Sequence, residues 1–288
     1  MSVPTVRERV RPLPGPARAR PGRARLGRVL TVARRQAFVL QRSPHRLFDV
    51  TIWPLVDAVL FGSMAVFFAG GAGGAGPAGA AAGYVLAGIV LWHVVYQAQI
   101  AVSTGFLEET WSRNLLNLMV TPLREVEYLA GVALFGLVKL ALGVGVVALV
   151  ALGFYAFDVT DLGFGLLPVI ALLLVAGWAI SLTVIGLVLR FGTGAEALAW
   201  GILFVVMPLS GVFYPVGALP GFLRPVAALL PTTHAFAAAR ELLDGGPAPW
   251  RELGLATLTT LLATAAAMAF VVRMLKVFRR RGYISRHV

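Results

Sequence analysis

The chain contains no cysteine, and only two of its 288 residues are lysine, Lys139 and Lys276. Without cysteine there is no disulfide, no thiolate metal site and no cysteine nucleophile. The glycine-rich stretch GGAGGAGPAGAAAG at 70–83 lacks the Gly-Lys-Ser/Thr ending of a phosphate-binding loop. ATP-driven work by this protein therefore needs another chain to hold the ATP. No H-E-x-x-H metal motif occurs either. Charge is scarce as well: 13% of residues are charged and 58% hydrophobic, with a mean hydropathy of +0.83. Soluble domains carry about a quarter charged residues, so the balance points to an integral membrane protein.

What charge there is has one dominant sign. The net charge is +12, and twelve of the 25 Lys and Arg lie in residues 1–50, with six more in 273–288. Basic flanks around apolar runs are the product of the positive-inside bias. No basic surface interleaved with aromatics and no nucleic-acid motif accompanies them, so nucleic acid is excluded as a partner. The Arg/Pro-rich lead has no apolar core or small-residue cleavage site of a secretory signal. Residues 1–23 read as a disordered basic cytosolic tail.

Six runs, near 51–70, 81–104, 129–156, 164–190, 195–214 and 253–275, reach the about 20 residues that an α-helix needs to cross about 30 Å of hydrocarbon. They lack the alternation a barrel requires. The expected fold is therefore an all-α integral membrane protein with six transmembrane helices over 49–275 and a basic tail at 276–288. With the N-terminus inside, 21 Lys and Arg fall on the inner side, and Arg224, Arg240 and Arg251 fall outside. Both termini are thus expected in the cytosol. Residues 24–48 set Leu26, Val29, Leu30, Ala33, Ala37 and Leu40 beside Arg28, Arg34, Arg35 and Arg42, the pattern of an amphipathic helix lying at the interface.

Two segments between the spans carry more information. In FLEETWSRNLLNLMVTPL (106–123), Trp111, Leu115, Leu118 and Met119 share one helical face and Arg113, Asn114 and Asn117 another. Glu108 and Glu109 are placed at the start of that helix, where the macrodipole favours anions, and Thr121-Pro122 ends it. Farther on, Pro215, Pro220, Pro225 and Pro231 cut an apolar run into pieces too short to span. Such a segment can enter the outer leaflet and return if protein covers its backbone. Phe213 and Tyr214 before it fit an interfacial aromatic anchor.

Among ionisable residues inside the spans, Asp57 and Lys139 are expected to pair, because charges in lipid seek partners. His93 reads as a packing residue. Ser210 and His234 raise the alternative of an intramembrane hydrolase, but the prolines between them and the lack of an orienting third group weigh against it. An ion channel or structural membrane protein is the other alternative.

Six spans, a cytosolic E-E-T-x-x-x-x-L-L-x-L-x-x-T-P-L segment after the second, and a proline-broken segment before the last together resemble the membrane subunits of the type-2 ABC exporter family. The usual E-x-G-T of that family is replaced here by Glu109-Thr110-Trp111. The resemblance implies that 108–123 is a coupling helix docking on a separate ABC ATPase, with Glu108, Glu109, Trp111, Arg113, Leu115, Leu118, Met119 and Pro122 as its contacts. It makes 24–48 the interface helix and 215–235 a re-entrant outer gate. It further implies a homodimer in the bacterial inner membrane, with ATP and Mg on the partner and no cofactor on this chain. The cargo would be a drug, a lipid or a lipid-linked glycan.

Overall fold

A computed structural model describes residues 21–42, 44–68, 77–112, 123–157 and 163–281. The helices among them are α1 (Pro21–Gln41), α2 (Pro44–Phe68), α3 (Pro77–Trp111), α4 (Glu125–Tyr155), α5 (Leu167–Phe191), α6 (Leu198–Leu209), α7 (Arg224–Ala228), α8 (Pro231–Leu243) and α9 (Trp250–Arg281). Single 3-10 turns precede α5, α6 and α7, and no strand occurs among the described residues.

Five of these helices, α2, α3, α4, α5 and α9, are long and apolar enough to cross a membrane. The run expected to form a fifth span at 195–214 is instead the 12-residue α6, about 18 Å long at 1.5 Å per residue. Backbone geometry explains the shortening. Gly192 ends α5 at φ 77°, a region few side chains tolerate, and Gly211 turns the chain at φ 64° just after α6. The other helices begin where their sequences favour a first turn. Pro168, Pro225 and Pro231 open α5, α7 and α8, since proline's fixed φ and missing N–H suit that position. The same preference splits the expected 24–48 interface helix: α1 stops at Gln41, and Pro44 starts the helix that becomes the first span. Residues 77–83, read as loop, belong to α3, and 276–281, read as tail, continue α9.

α3 is the central element. Over its span 83% is buried, against 28% for α2 and α4 and 22% for α9. α5 runs parallel to α3 and packs on it closely. A side chain at Gly177 would come within 2.8 Å of the Val95 carbonyl, so glycine sets that helix–helix distance, as small residues do in membrane bundles. The outer surfaces are apolar: Trp53, Leu60, Phe67, Leu149, Phe154, Phe204, Leu261 and Leu262 are exposed. On a soluble protein such a surface would drive aggregation; against lipid it costs nothing.

Buried polar side chains join the helices inside. Gln99 Nε2 donates to the Ala199 carbonyl of α6 (2.9 Å) and to Ser103 Oγ (3.0 Å), and Ser103 Oγ lies 2.9 Å from Ser181 Oγ on α5. In an apolar interior, these bonds hold α3, α5 and α6 in one register.

Candidate functional site

The charged segment singled out from the sequence sits at the end of the bundle where α1 crosses α3 and α4. Glu108, Glu109 and Trp111 are not at a helix start. They form the last turn of the 35-residue α3, about 52 Å long, where the macrodipole is unfavourable to anions. The apolar period runs unbroken from span two through Leu107, and nothing in it stops the helix before the glutamates. Arg113, Leu115, Leu118, Met119 and Pro122 lie outside the described residues.

The structure offsets that unfavourable end with arginine. Glu109 is buried, and its two oxygens accept from Arg35 of α1: Nη1 on Oε1, and Nη2 on Oε2 at 3.2 Å. Glu109 is thus tied inside the protein rather than offered at the rim of a docking surface. A second pair repeats the arrangement on α4. Arg28 Nε and Nη2 donate to Glu127 Oε2 (2.7 Å) and Oε1 (2.6 Å), and Glu127 also accepts the Arg124 backbone N–H (3.1 Å). The latter bond caps α4 from its third residue. Hydrogen bonding to these carboxylates holds both guanidiniums above the usual arginine range. The tyrosine after Glu127 closes the cluster, Tyr128 Oη donating to the Gly105 carbonyl of α3 at 3.0 Å.

α1 lies close to α4 because residue 131 is glycine: a Cβ there would meet Val32 at 2.6 Å. Val32, Gln36 and Leu40 face the bundle, whereas Leu26, Leu30 and Phe38 stay exposed. Trp111 is half exposed, its indole N–H donating to Glu196 Oε2 at 2.9 Å. Sequence reading missed Glu127 and Glu196 and did not pair Arg28 or Arg35. Glu127 sits three residues after Arg124 at a helix start, but arginine is not a capping residue type, so neither this bond nor the pairs between helices carried a sequence signal.

At the opposite end the proline-rich segment gathers. Phe213 stacks on Phe61 of α2 (centroids 4.5 Å apart), and Tyr214 Oη donates to the Pro208 carbonyl at 2.9 Å. Pro215 and Pro220 accept from Ala218 and Leu223 in tight turns, and Pro225 and Pro231 start α7 and α8. Arg240 of α8 donates to the Tyr214 carbonyl at 3.0 Å and lies over the Tyr84 ring; burial brings its guanidinium down to about 10. Ser210 Oγ is buried against Thr232 Oγ1 (2.6 Å) and the Val206 carbonyl (2.7 Å), while His234 sits between Glu252 Oε2 and the Ala228 carbonyl, each 3.0 Å away. Serine and histidine are engaged separately, unlike a nucleophile and its base.

Asp57 lies against His93, Oδ2 to Nε2 at 3.5 Å, and this is not the expected ion pair with Lys139. Lys139 extends over the Phe135 ring, its Nζ 5.9 Å from the centroid. The register explains it. Gln97 donates to the Val50 carbonyl and fills the space over Gly143, so residues 50 and 143 are level on the parallel helices α2 and α4. Asp57 is seven residues one way and Lys139 four the other, about 16 Å apart along the axis.

Long apolar helices with a lipid-facing exterior and ion-paired ends define a multi-pass α-helical membrane protein. The family described as ABC-2 family transporter protein matches residues 73–272, well over half the chain. The chain belongs to that family and is a membrane subunit of an ABC transporter, whose membership implies an ABC ATPase as partner. No curated protein matches it in sequence.

Proposed function

We propose that the protein is the permease of an ATP-driven exporter, working as a homodimer in a bacterial inner membrane. It moves an amphipathic, lipid-like or lipid-linked glycan cargo out of the cytoplasm. The α1 end and both termini face the cytosol, ATP and Mg are held by a separate ABC ATPase, and this chain binds no cofactor. The proline-rich segment between α6 and α9 forms the outer gate. The observation that carries the reading is the pair of ion bridges at the α1 end. α3 enters and α4 leaves the segment 113–122, and both are tied to α1, through Arg35–Glu109 and Arg28–Glu127. A push delivered to that segment by the ATPase is passed to three helices together, which is how a docking event becomes a rigid-body tilt.

The test is association and transport with the cognate ATPase in proteoliposomes. Trp111 is the half-exposed aromatic nearest the segment, and aromatic anchors carry much of an interface's energy. Trp111→Ala should weaken ATPase binding by about fivefold or more, a loss of more than about 1 kcal/mol. Wild-type binding and wild-type transport in that variant would remove this end of the protein as the docking site.

A further inference from the structure

His93 is fully buried near the middle of α3, and each of its ring nitrogens faces an acceptor. Nδ1 lies 2.9 Å from the Ile89 carbonyl one turn back, and Nε2 lies 3.5 Å from Asp57 Oδ2 on α2. A carbonyl oxygen only accepts, so Nδ1 carries a proton and donates it. Nε2 then faces a second acceptor, the carboxylate, and makes no hydrogen bond at this separation. A nitrogen lone pair aimed at a carboxylate is repulsive, the more so where the dielectric is low. One added proton turns that repulsion into a charge-assisted hydrogen bond.

We propose that Asp57 and His93 form a proton-binding site inside the membrane. A single proton taken from water rests between Nε2 and Oδ2, and the pair passes from one net negative charge to neutral. Only an N–H or O–H bond forms, and the proton returns to water when it breaks. Asp57 is the partly exposed member: its side chain is one-third exposed on the outer face of α2, beside Trp53, Val56 and Leu60. The closed bond needs an approach of roughly 0.6 Å, to the about 2.7–2.9 Å of charge-assisted pairs. Occupancy is therefore linked to how closely α2 rests on α3.

The ionisable neighbours leave this proton to the pair. On α3, the Tyr96 ring centroid is 5.8 Å from that of His93. On α4, Tyr155 Oη donates to the Val59 carbonyl at 2.8 Å, and Lys139 is about 16 Å away along the axis. On α5 the only charged side chain is Arg190, in the last turn. On α8, Arg240 and His234 are held by Tyr214 and Glu252.

The experiment is nitrogen NMR of the full chain in lipid bilayers with labelled histidine, of which there are four. It follows proton occupancy across pH of about 5 to 8, where histidine ordinarily changes charge. The His93 signals are those lost in His93→Gln. Nδ1 should stay protonated throughout, while the Nε2 proton should titrate and be lost at every pH in Asp57→Asn. A Nε2 proton present at all pH values but lost in Asp57→Asn also supports the site, as one that stays filled. If Asp57→Asn does not fold, Asp57→Glu should move the titration. A His93 spectrum that ignores the Asp57 substitutions, whether or not it responds to pH, overturns the proposal. The readout involves neither ATPase nor cargo, so its failure is separate from failure of the exporter reading.

Discussion

The bridge between Arg35 and Glu109 is open to a quantitative test. The Glu109 side chain is 3% exposed and that of Arg35 44%, so the two partners are not equivalent. Removing Arg35 takes two donors from a buried carboxylate at a helix C-terminus. A fully buried pair broken this way costs about 3–5 kcal/mol, and the adverse macrodipole contributes about 0.3–1 kcal/mol. Water reaching the half-exposed Arg35 site screens the charge, so Arg35→Met should cost about 2 kcal/mol, between that figure and the ~1 kcal/mol limit of exposed pairs. Removing Glu109 is milder, because the freed guanidinium swings into water; Glu109→Gln should cost about 1 kcal/mol. The double variant has no carboxylate at 109 to lose those donors and should lose little more than Glu109→Gln alone. Detergent-titrated unfolding of the four proteins in mixed micelles gives the coupling free energy, expected at about 1–2 kcal/mol. Single effects that add to within about 0.5 kcal/mol would refute the bridge as an energetic tie between α1 and α3.

Other expectations are more direct. Gly177→Val forces a side chain against the Val95 carbonyl and the Ala98 methyl and should cost about 1–3 kcal/mol as overpacking, read by thermal stability in detergent. Gln99→Leu removes both donors that join α3 to α6 and to Ser103; a loss of about 1–3 kcal/mol should appear, with faster hydrogen exchange at the start of α6 as its signature. Because the chain has no cysteine, single cysteines report topology without background: Gly246→Cys should react with an impermeant reagent on intact cells and Ser112→Cys should not. Labelling at Ser112 from outside would reverse the orientation.

Much of the fold was legible because hydropathy and length decide it. Apolar runs of twenty residues have few alternatives to a spanning helix, and α2, α3, α4, α5 and α9 lie where the runs do. Failures came where one element hands over to the next. Composition cannot tell a span from its continuation, so the pattern suggests a new helix at Glu108 and Glu109 although the turns of α3 pass straight through them. Nor can it weigh backbone: α6 is as apolar as any span, yet Gly192 and Gly211 confine it. The Asp57–Lys139 pair failed for a third reason. Depth along one helix does not fix a partner; pairing depends on the register between helices, which Gln97, Val50 and Gly143 set.

The distribution of interior polar contacts also bears on which parts can move. α3, α5 and the start of α6 are joined by Gln99, Ser103 and Ser181 through direct bonds of 2.9–3.0 Å, and breaking these in an apolar interior is costly. α2 meets α3 differently: Gln97 reaches the Val50 carbonyl at 3.4 Å, and His93 and Asp57 stand 3.5 Å apart. Those contacts are long, and only 28% of the α2 span is buried. Yet α2 follows directly on α1, which the arginines tie to the ends of α3 and α4. In the exporter reading, α3 then moves with α5 as one body, and α2 is the part that shifts against it. Cross-linking tests this. A bond between cysteines at Asp57 and His93 should stop transport while leaving ATPase binding intact, whereas one joining Ser103 to Ser181 should leave transport running. Transport that survives the first and fails with the second would place the moving joint on the other side of α3.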